Sequence, residues 1–161
     1  LVVCDTMNYW ISQNRKELLE LLSKVNILMV NDSEARELTG ESNLLRASRI
    51  IQGWGPDSVV IKKGEHGAIL FAHDWSFAVP GLLLNKVIDP TGAGDSFAGG
   101  FMGYLATKSN ISKEDFRMAM VYGTVMGSFA VESFSIDKLE SISDDNILQR
   151  VSELRELTSF E

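Results

Sequence analysis

The sequence is poor in the residues that form covalent or metal cross-links. Its 161 residues include one cysteine and two histidines. Cys4 has no partner for an internal disulfide, which favours a reducing, cytoplasmic setting. His66 and His73 have no second histidine or cysteine at a metal-ligand spacing, so we predict no transition-metal site.

Positive charge and long apolar runs are also scarce. The chain has 22 acidic and 15 basic residues and a formal net charge of -7. It therefore lacks the basic surface that nucleic acids or anionic membranes attract. No apolar run approaches the roughly 18 to 20 residues of a membrane span, and the N-terminus lacks the order of a signal peptide. We expect a soluble protein that binds neither nucleic acid nor membrane.

The composition is ordinary for one folded domain. Hydrophobic residues make up 45% of the chain and charged residues 23%, which is enough to bury a core, so we assign residues 1–161 to one domain. The chain opens on Leu1-Val2-Val3-Cys4, a run typical of a buried strand already under way, and it lacks an initiator Met. We therefore expect it to be part of a longer protein.

Hydrophobic periodicity alternates between strand and helix along the chain. The predicted strands are 1–4, 27–30, 58–62, 68–72, 75–79 and 86–88. The predicted helices are 12–25, 32–39, 43–52, 92–107, 113–132 and 144–157. This alternation predicts an α/β fold with a largely parallel sheet and helices on both faces.

The segment from Val87 to Phe97 places a strand, a tight polar turn and a small-residue helix start in succession. The first amides of a helix have no partner within it and carry partial positive charge, so they attract phosphate. Gly92, Ala93 and Gly94 have almost no side chain, which allows a phosphoryl group to approach the backbone closely. The segment therefore predicts an anion site.

Asp95 follows in the first turn of the same helix. A carboxylate beside an anion hole can accept the proton of a substrate hydroxyl that attacks a γ-phosphate. First-turn acidic residues are also common complements to the helix dipole, and spacing alone leaves both roles open. The loop matches neither GxGxxG nor GxxxxGK[ST], so neither a Rossmann nor a Walker-type site is indicated.

Four segments together resemble the ribokinase/PfkB family of carbohydrate and nucleoside kinases. The string DPTGAGDSFAGGF, which begins at Asp89, resembles the family's DTxGAGD signature. The other three occur in the family's order and resemble its DxN, NxxE and xKxGxxGA motifs; they are Asp5-Thr6-Met7-Asn8, Asn31-Asp32-Ser33-Glu34 and Ile61-Lys62-Lys63-Gly64-Glu65-His66-Gly67-Ala68.

The resemblance implies roles for particular residues. Asp95 is the expected catalytic base, and the amides of Gly92, Ala93 and Gly94 form the expected anion hole. Glu34, with Asn31, is expected to hold the water shell of a Mg ion on ATP, since Mg dehydrates reluctantly. A capping contact within its own helix is the alternative role for Glu34.

The resemblance also implies nucleotide and cation contacts. The expected nucleotide-binding residues are Asn31, Lys63, Gly64, Gly67, Thr91, Gly123 and Gly127. Close helix packing is the alternative reason for the last two glycines. Asp89 and Thr91 lie where many relatives bind a monovalent cation such as K, although Pro90 departs from the commonest pattern and removes an amide.

The implied fold is a ribokinase-like three-layer α/β/α domain, here without the N-terminal part and the lid. The implied activity is ATP-dependent phosphorylation of a sugar or nucleoside, and a homodimer is compatible with it. The acceptor remains undefined, because the family's acceptor-binding residues lie largely before the DxN segment. The alternative is a catalytically silent nucleotide- or metabolite-binding regulatory module with the same fold.

Overall fold

The structure is a computed structural model that describes residues 1–159, so the last two residues of the predicted domain lie outside the described part. The chain divides into two compact units. The first contains residues 1–64 and 68–78, and the second contains residues 65–67 and the chain from Val79 onward.

The first unit is built on a five-stranded sheet in the order β1-β2-β3-β4-β5. Strands β1, β2 and β3 run parallel, and β4 is antiparallel to β3. The sheet is therefore mixed and parallel in its first three strands, in agreement with the largely parallel sheet that we predicted. The strand bounds are Val3–Asp5, Ile27–Asn31, Ser58–Lys62, Ala68–Phe71 and Ser76–Val79.

Four helices of the first unit pack on one face of this sheet. They are α1 (Asn8–Gln13), α2 (Arg15–Leu22), α3 (Asp32–Thr39) and α4 (Leu44–Gln52). Alternate strand residues such as Leu28 and Ile61 join Leu22, Leu38 and Ile51 from the helices in one buried cluster. The residues between them, Met29 and Val60, are fully buried as well. Burial on both faces explains why these strands are continuously apolar in sequence.

The second unit is mainly helical. It contains α5 (Ala93–Ala106), α6 (Lys113–Ala130), α7 (Asp137–Ser141) and α8 (Asp144–Thr158). Phe101 of α5 and Met120 of α6 are fully buried. None of the helices within residues 1–159 is both long and apolar enough to cross a membrane.

The predicted helix 12–25 was wrong in its extent. The chain forms α1 from Asn8 to Gln13 and, after Asn14, α2 from Arg15 to Leu22. Asn14 has φ -134° and ψ 42°, and its amide donates to the Trp10 carbonyl, which ends α1. The apolar periodicity of 12–25 continues across this break, so periodicity alone could not reveal it.

The predicted strand 86–88 does not form. The Ile88 amide donates to the Val131 carbonyl at 2.8 Å, and the side chains of Val87 and Ile88 are about half exposed, at 57% and 48%. A strand requires a ladder of hydrogen bonds to a neighbouring strand, and this segment pairs with the end of a helix instead. The first strand is also shifted, to Val3–Asp5, and α7 had not been predicted.

Candidate active site

A polar turn at residues 89–92 directly precedes α5. The Thr91 amide donates to Asp89 Oδ1 at 2.9 Å, and the Ala93 amide donates to the Pro90 carbonyl at 3.2 Å. The bond from Thr91 holds the pKa of the Asp89 carboxyl below its usual value. Gly92 has φ 78°, a left-handed conformation that residues with a Cβ rarely adopt. Glycine is therefore required at this position by the turn itself.

The beginning of α5 has no side-chain cap. The Ser96 amide makes the first bond of the helix, to the Gly92 carbonyl at 2.9 Å. The amides of Gly94 and Asp95 have no acceptor among residues 1–159. Unpaired amides at a helix start favour an anion in front of them. Asp95 lies beside them and is exposed to solvent.

The structure refines the predicted anion hole. Of the three residues that the sequence predicted, Gly92 and Gly94 have amides that remain available within the described chain. The Ala93 amide is engaged by the Pro90 carbonyl. The Asp95 amide, which the sequence analysis did not include, is available. The sequence would identify the Asp95 amide as part of the anion hole only if the first residue of α5 were known exactly.

A pocket of about 480 Å³ adjoins this turn. Asp89, Thr91 and Gly92 line one part of it, so three residues that the sequence singled out are adjacent there. Ser135 lines another part and has φ 56°, which is uncommon for a residue other than glycine. The lining is mainly apolar, through Ala130, Phe134, Ile136 and Leu139, with the Asp89 carboxylate and three hydroxyl groups in the rest of the lining. Cation binding at Asp89 and Thr91 remains a prediction.

Gly123 and Gly127 lie where α6 packs on α5. A Cβ at Gly123 would lie 2.9 Å from the Phe97 carbonyl oxygen, and one at Gly127 would lie 3.2 Å from the Ala93 carbonyl oxygen. Close helix packing, the alternative that the sequence left open, therefore accounts for both glycines. Their contact with a nucleotide remains a prediction.

Asn31 and Glu34 cap the start of α3. Asn31 Oδ1 accepts from the Glu34 amide at 2.8 Å, and Glu34 Oε2 accepts from the Asn31 amide at 2.8 Å. This is a complete capping box, and it is the alternative role that the sequence allowed for Glu34. The backbone amides of Asn31 and Glu34 therefore both have acceptors within the protein and need no ligand.

Glu34 is 6% exposed, and burial raises the pKa of its carboxyl. The hydrogen bond from the Asn31 amide opposes this rise in pKa most, followed by the ammonium of Lys62, whereas the charges of Asp5 and Glu37 add to it. Within residues 1–159 no group of three or more acidic, His or Cys side chains could hold a metal ion by itself. The Asn31 and Glu34 side chains offer oxygen donors, which are the ligand type that Mg prefers. Their contact with the water shell of a Mg ion remains a prediction.

An ion pair at the same edge of the sheet was missed by the sequence analysis. Lys62 Nζ lies 2.6 Å from Asp5 Oδ2, and the two side chains are 16% and 29% exposed. Asp5 ends β1 and Lys62 ends β3, so both lie at the carboxyl ends of parallel strands. Ligands of open α/β sheets bind at this edge. Both residues belong to quoted motifs, but only the register of the sheet pairs them.

The predicted nucleotide loop follows Lys62. Lys63 is partly buried, and Gly64 has φ 57° with open space around its missing Cβ. Gly67 has φ 85°, and a Cβ there would lie 2.0 Å from the Val79 carbonyl oxygen. Backbone packing therefore requires Gly67 as glycine, whereas at Gly64 only the positive φ favours glycine. Nucleotide contact by these residues remains a prediction.

Comparison with protein families and sequences shows consistent relatives. The family model described as pfkB family carbohydrate kinase matches residues 1–141. The chain is 44% identical over 92 residues to a cytidine kinase of Thermococcus kodakarensis, covering 55% of this chain and 32% of that protein. It is 30% identical over 120 residues to a nucleoside kinase of Methanocaldococcus jannaschii, covering 74% and 37%. The chain spans about a third of the length of these two relatives.

Solved structures show the fold. Aminoimidazole riboside kinase from Salmonella enterica, complexed with aminoimidazole riboside and an ATP analog, superposes with a TM-score of 0.82 at 22% identity. The match covers 92% of this chain and 51% of that chain. The nucleoside kinase of M. jannaschii, described as a ribokinase family member, superposes with a TM-score of 0.77 at 23% identity. The predicted ribokinase-like fold is confirmed, as part of a larger domain.

Proposed function

Because the chain belongs to the pfkB family of carbohydrate kinases, we propose that it performs ATP-dependent phosphoryl transfer to a hydroxyl group of a sugar or nucleoside. The observation that carries the proposal is the start of α5. Its amides at Gly94 and Asp95 have no acceptor among the described residues, and the Asp95 carboxylate stands exposed in the same turn. An anion site and a base thus lie within one helical turn.

The proposed reaction is an in-line displacement at the γ-phosphorus of ATP. The acceptor oxygen forms a bond to phosphorus, its proton passes to an Asp95 carboxylate oxygen, and the bond between the γ-phosphorus and the bridging oxygen of ADP breaks. The amides of Gly92, Gly94 and Asp95 stabilise the charge on the transferring phosphoryl group. Ala93 contributes only if its amide leaves the Pro90 carbonyl.

Asn31 and Glu34 are the residues that would hold the waters of a Mg ion. That ion supplies charge neutralisation for the phosphates when it is bound. The Asn31 side chain accepts from the Glu34 amide and the buried Glu34 carboxylate accepts from the Asn31 amide, so both side chains are held in fixed positions. Asp89 and Thr91 are the residues that we assign to a monovalent cation.

Nucleosides are the first acceptors to test. The two sequence relatives described above are named a cytidine kinase and a nucleoside kinase. The other relatives include a ribokinase and fructokinases, so sugars form the second group. The test is an ATP-consumption assay of the full-length protein across nucleosides and sugars, with Mg present.

The matched variants in this assay are Asp95→Asn and Asp144→Asn. Asp144 is an exposed acidic residue in the first turn of α8, and it complements that helix dipole without an assigned catalytic role. Asp95→Asn is expected to lower turnover by about 100-fold or more while ATP affinity changes little, as for removal of a general base. Asp144→Asn is expected to leave turnover unchanged.

Equal turnover in wild type and Asp95→Asn would remove Asp95 from the catalytic role and reduce it to a helix-dipole carboxylate. The silent regulatory module predicts a different result: binding of ATP with no consumption for any acceptor. That outcome with the full-length protein would replace the kinase proposal.

A further inference from the structure

The ion pair between Asp5 and Lys62 crosses a strand. In the sheet, β2 lies between β1 and β3. Neighbouring strands are about 4.8 Å apart, so a pair between β1 and β3 must span about 10 Å over β2. The Nζ to Oδ2 distance of 2.6 Å shows that the Lys62 side chain covers this gap.

The register shows which part of β2 the pair crosses. Asp5 is level with Met29, and Lys62 is level with Asn31. Residues two apart along a strand point to the same face, so Asp5, Met29, Asn31 and Lys62 all lie on one face of the sheet. The pair therefore passes over the last residues of β2, directly before the turn of Asn31 and Glu34.

The charges around this turn are mostly negative. Asp5 and Glu37 raise the pKa of Glu34, and Lys62 lowers it. Glu37 also accepts a hydrogen bond from Asn8 Nδ2 at 3.1 Å, which holds its carboxylate at this edge. Lys62 is thus the cation that offsets these carboxylates. Within the described part of the chain, Lys62 Nζ donates a hydrogen bond to Asp5 and none to Glu34.

We infer that Lys62 is a positioning residue of the Asn31–Glu34 turn. Its bridge to Asp5 fixes the end of β2 beside this turn, and the Lys62 hydrogen bond goes to Asp5, so Glu34 Oε1, which accepts no hydrogen bond from the described residues, is left for the water shell of a metal. The inference rests on the proposed function, which assigns that water shell to Asn31 and Glu34. A purely structural ion pair is the alternative, and the two differ in their effect on metal affinity.

The test measures Mn²⁺ binding to the full-length protein in the presence of ADP by electron paramagnetic resonance. Asp5→Asn removes the carboxylate that holds the Lys62 ammonium and is expected to weaken Mn²⁺ binding about tenfold, since the freed positive charge repels the ion. Lys62→Met removes the bridge and is expected to weaken Mn²⁺ binding too, because the turn loses its support; loss of a positive charge by itself would strengthen binding. In both variants kcat is expected to fall, because the turn is no longer held.

Two further variants keep the test decisive. Lys62→Arg keeps the charge and the bridge, and it is expected to bind Mn²⁺ within about threefold of wild type even if the other variants fold poorly. Lys16→Met removes a lysine whose side chain is 85% exposed in a surface pair and is the expected neutral control.

The outcomes separate the inference from the proposed function. If wild type binds Mn²⁺ with ADP and turns over, but Lys62→Met binds Mn²⁺ as tightly as wild type or more tightly, the positioning role is overturned and the kinase proposal stands. A Lys62→Arg variant with strongly altered affinity would also overturn the role. If wild type shows no ADP-dependent Mn²⁺ binding, the metal assignment of the proposed function falls and this inference falls with it.

Discussion

The starts of α3 and α5 differ in whether side chains accept hydrogen bonds from the backbone amides of the first turn. At α3 the Asn31 and Glu34 side chains satisfy each other's backbone amides in a capping box. At α5 no side chain caps the helix, and the amides of Gly94 and Asp95 have no acceptor among residues 1–159. A capped start stabilises its own helix, whereas an uncapped start gains stability when an anion arrives.

The same contrast appears in the burial of the two acidic residues. Glu34 is buried and has a raised pKa, and its carboxylate is held by the Asn31 amide. Asp95 is exposed and unrestrained by any hydrogen bond that the described residues provide. A fixed carboxylate suits the orientation of a hydrated ion, and an accessible one suits the acceptance of a proton from a substrate. The two turns therefore suit different parts of the proposed reaction.

The largest effect is expected from a substitution that blocks the uncapped start of α5. Gly94→Val places a branched side chain where a phosphoryl group must approach the backbone, and nucleotide-dependent turnover is expected to fall by about 100-fold or more. Gly99→Val on the same helix is the matched control, because no atom lies within 4 Å of a Cβ at Gly99. Steady-state kinetics of the full-length protein measure both. Undiminished turnover in Gly94→Val would argue against the anion hole.

A smaller effect is expected from a substitution that removes the side-chain cap of α3. Asn31→Ala removes the acceptor of the Glu34 amide and of the Ser33 hydroxyl, and it is expected to lower the free energy of unfolding by about 1 to 2 kcal/mol. Asn43 caps α4 through the Arg46 amide alone, so Asn43→Ala is expected to cost less, about 0.5 to 1 kcal/mol. Urea unfolding compares the two. A larger loss for Asn43→Ala would contradict the assignment of the stronger cap to α3.

The smallest effect is expected in the pH dependence of stability. Because the pKa of Glu34 is raised in the folded state, protonation of this group favours folding. Its contribution is fully present below the unfolded pKa and is lost as pH rises through the folded pKa. Glu34→Gln keeps an acceptor for the Asn31 amide but does not titrate.

Thermal unfolding of wild type and Glu34→Gln across the acid to neutral range measures this difference. The variant is expected to become more stable relative to wild type as pH rises from the ordinary glutamate pKa through the raised one, and the difference is expected to level off above it. A difference that shrinks with rising pH would mean that hydrogen bonding, rather than burial, governs the ionisation of Glu34.

Much of the fold could be predicted from the sequence because its signals are local. Asp32 to Thr39 was predicted as a helix with these bounds from Asp32 and Ser33 as start signals and Gly40 as the stop signal, although the residue that caps the helix is Asn31. Strand 58–62 was also predicted with its observed bounds from its β-branched residues. Strand 86–88 failed because apolar residues alone do not specify a pairing partner, and here the Val131 carbonyl takes the Ile88 amide.

The features of the candidate site also divide into those that the local sequence predicts and those that depend on tertiary structure. The sequence by itself determined the turn around Gly92 and the acidic residue Asp95, because a glycine-rich helix start and its first-turn carboxylate lie within a few consecutive residues. Only the tertiary structure decided that Lys62 pairs with Asp5, that Glu34 is buried, and that Gly123 packs against Phe97. Those relations join residues distant in the chain, and strand register, burial and helix packing set them after the local elements have formed.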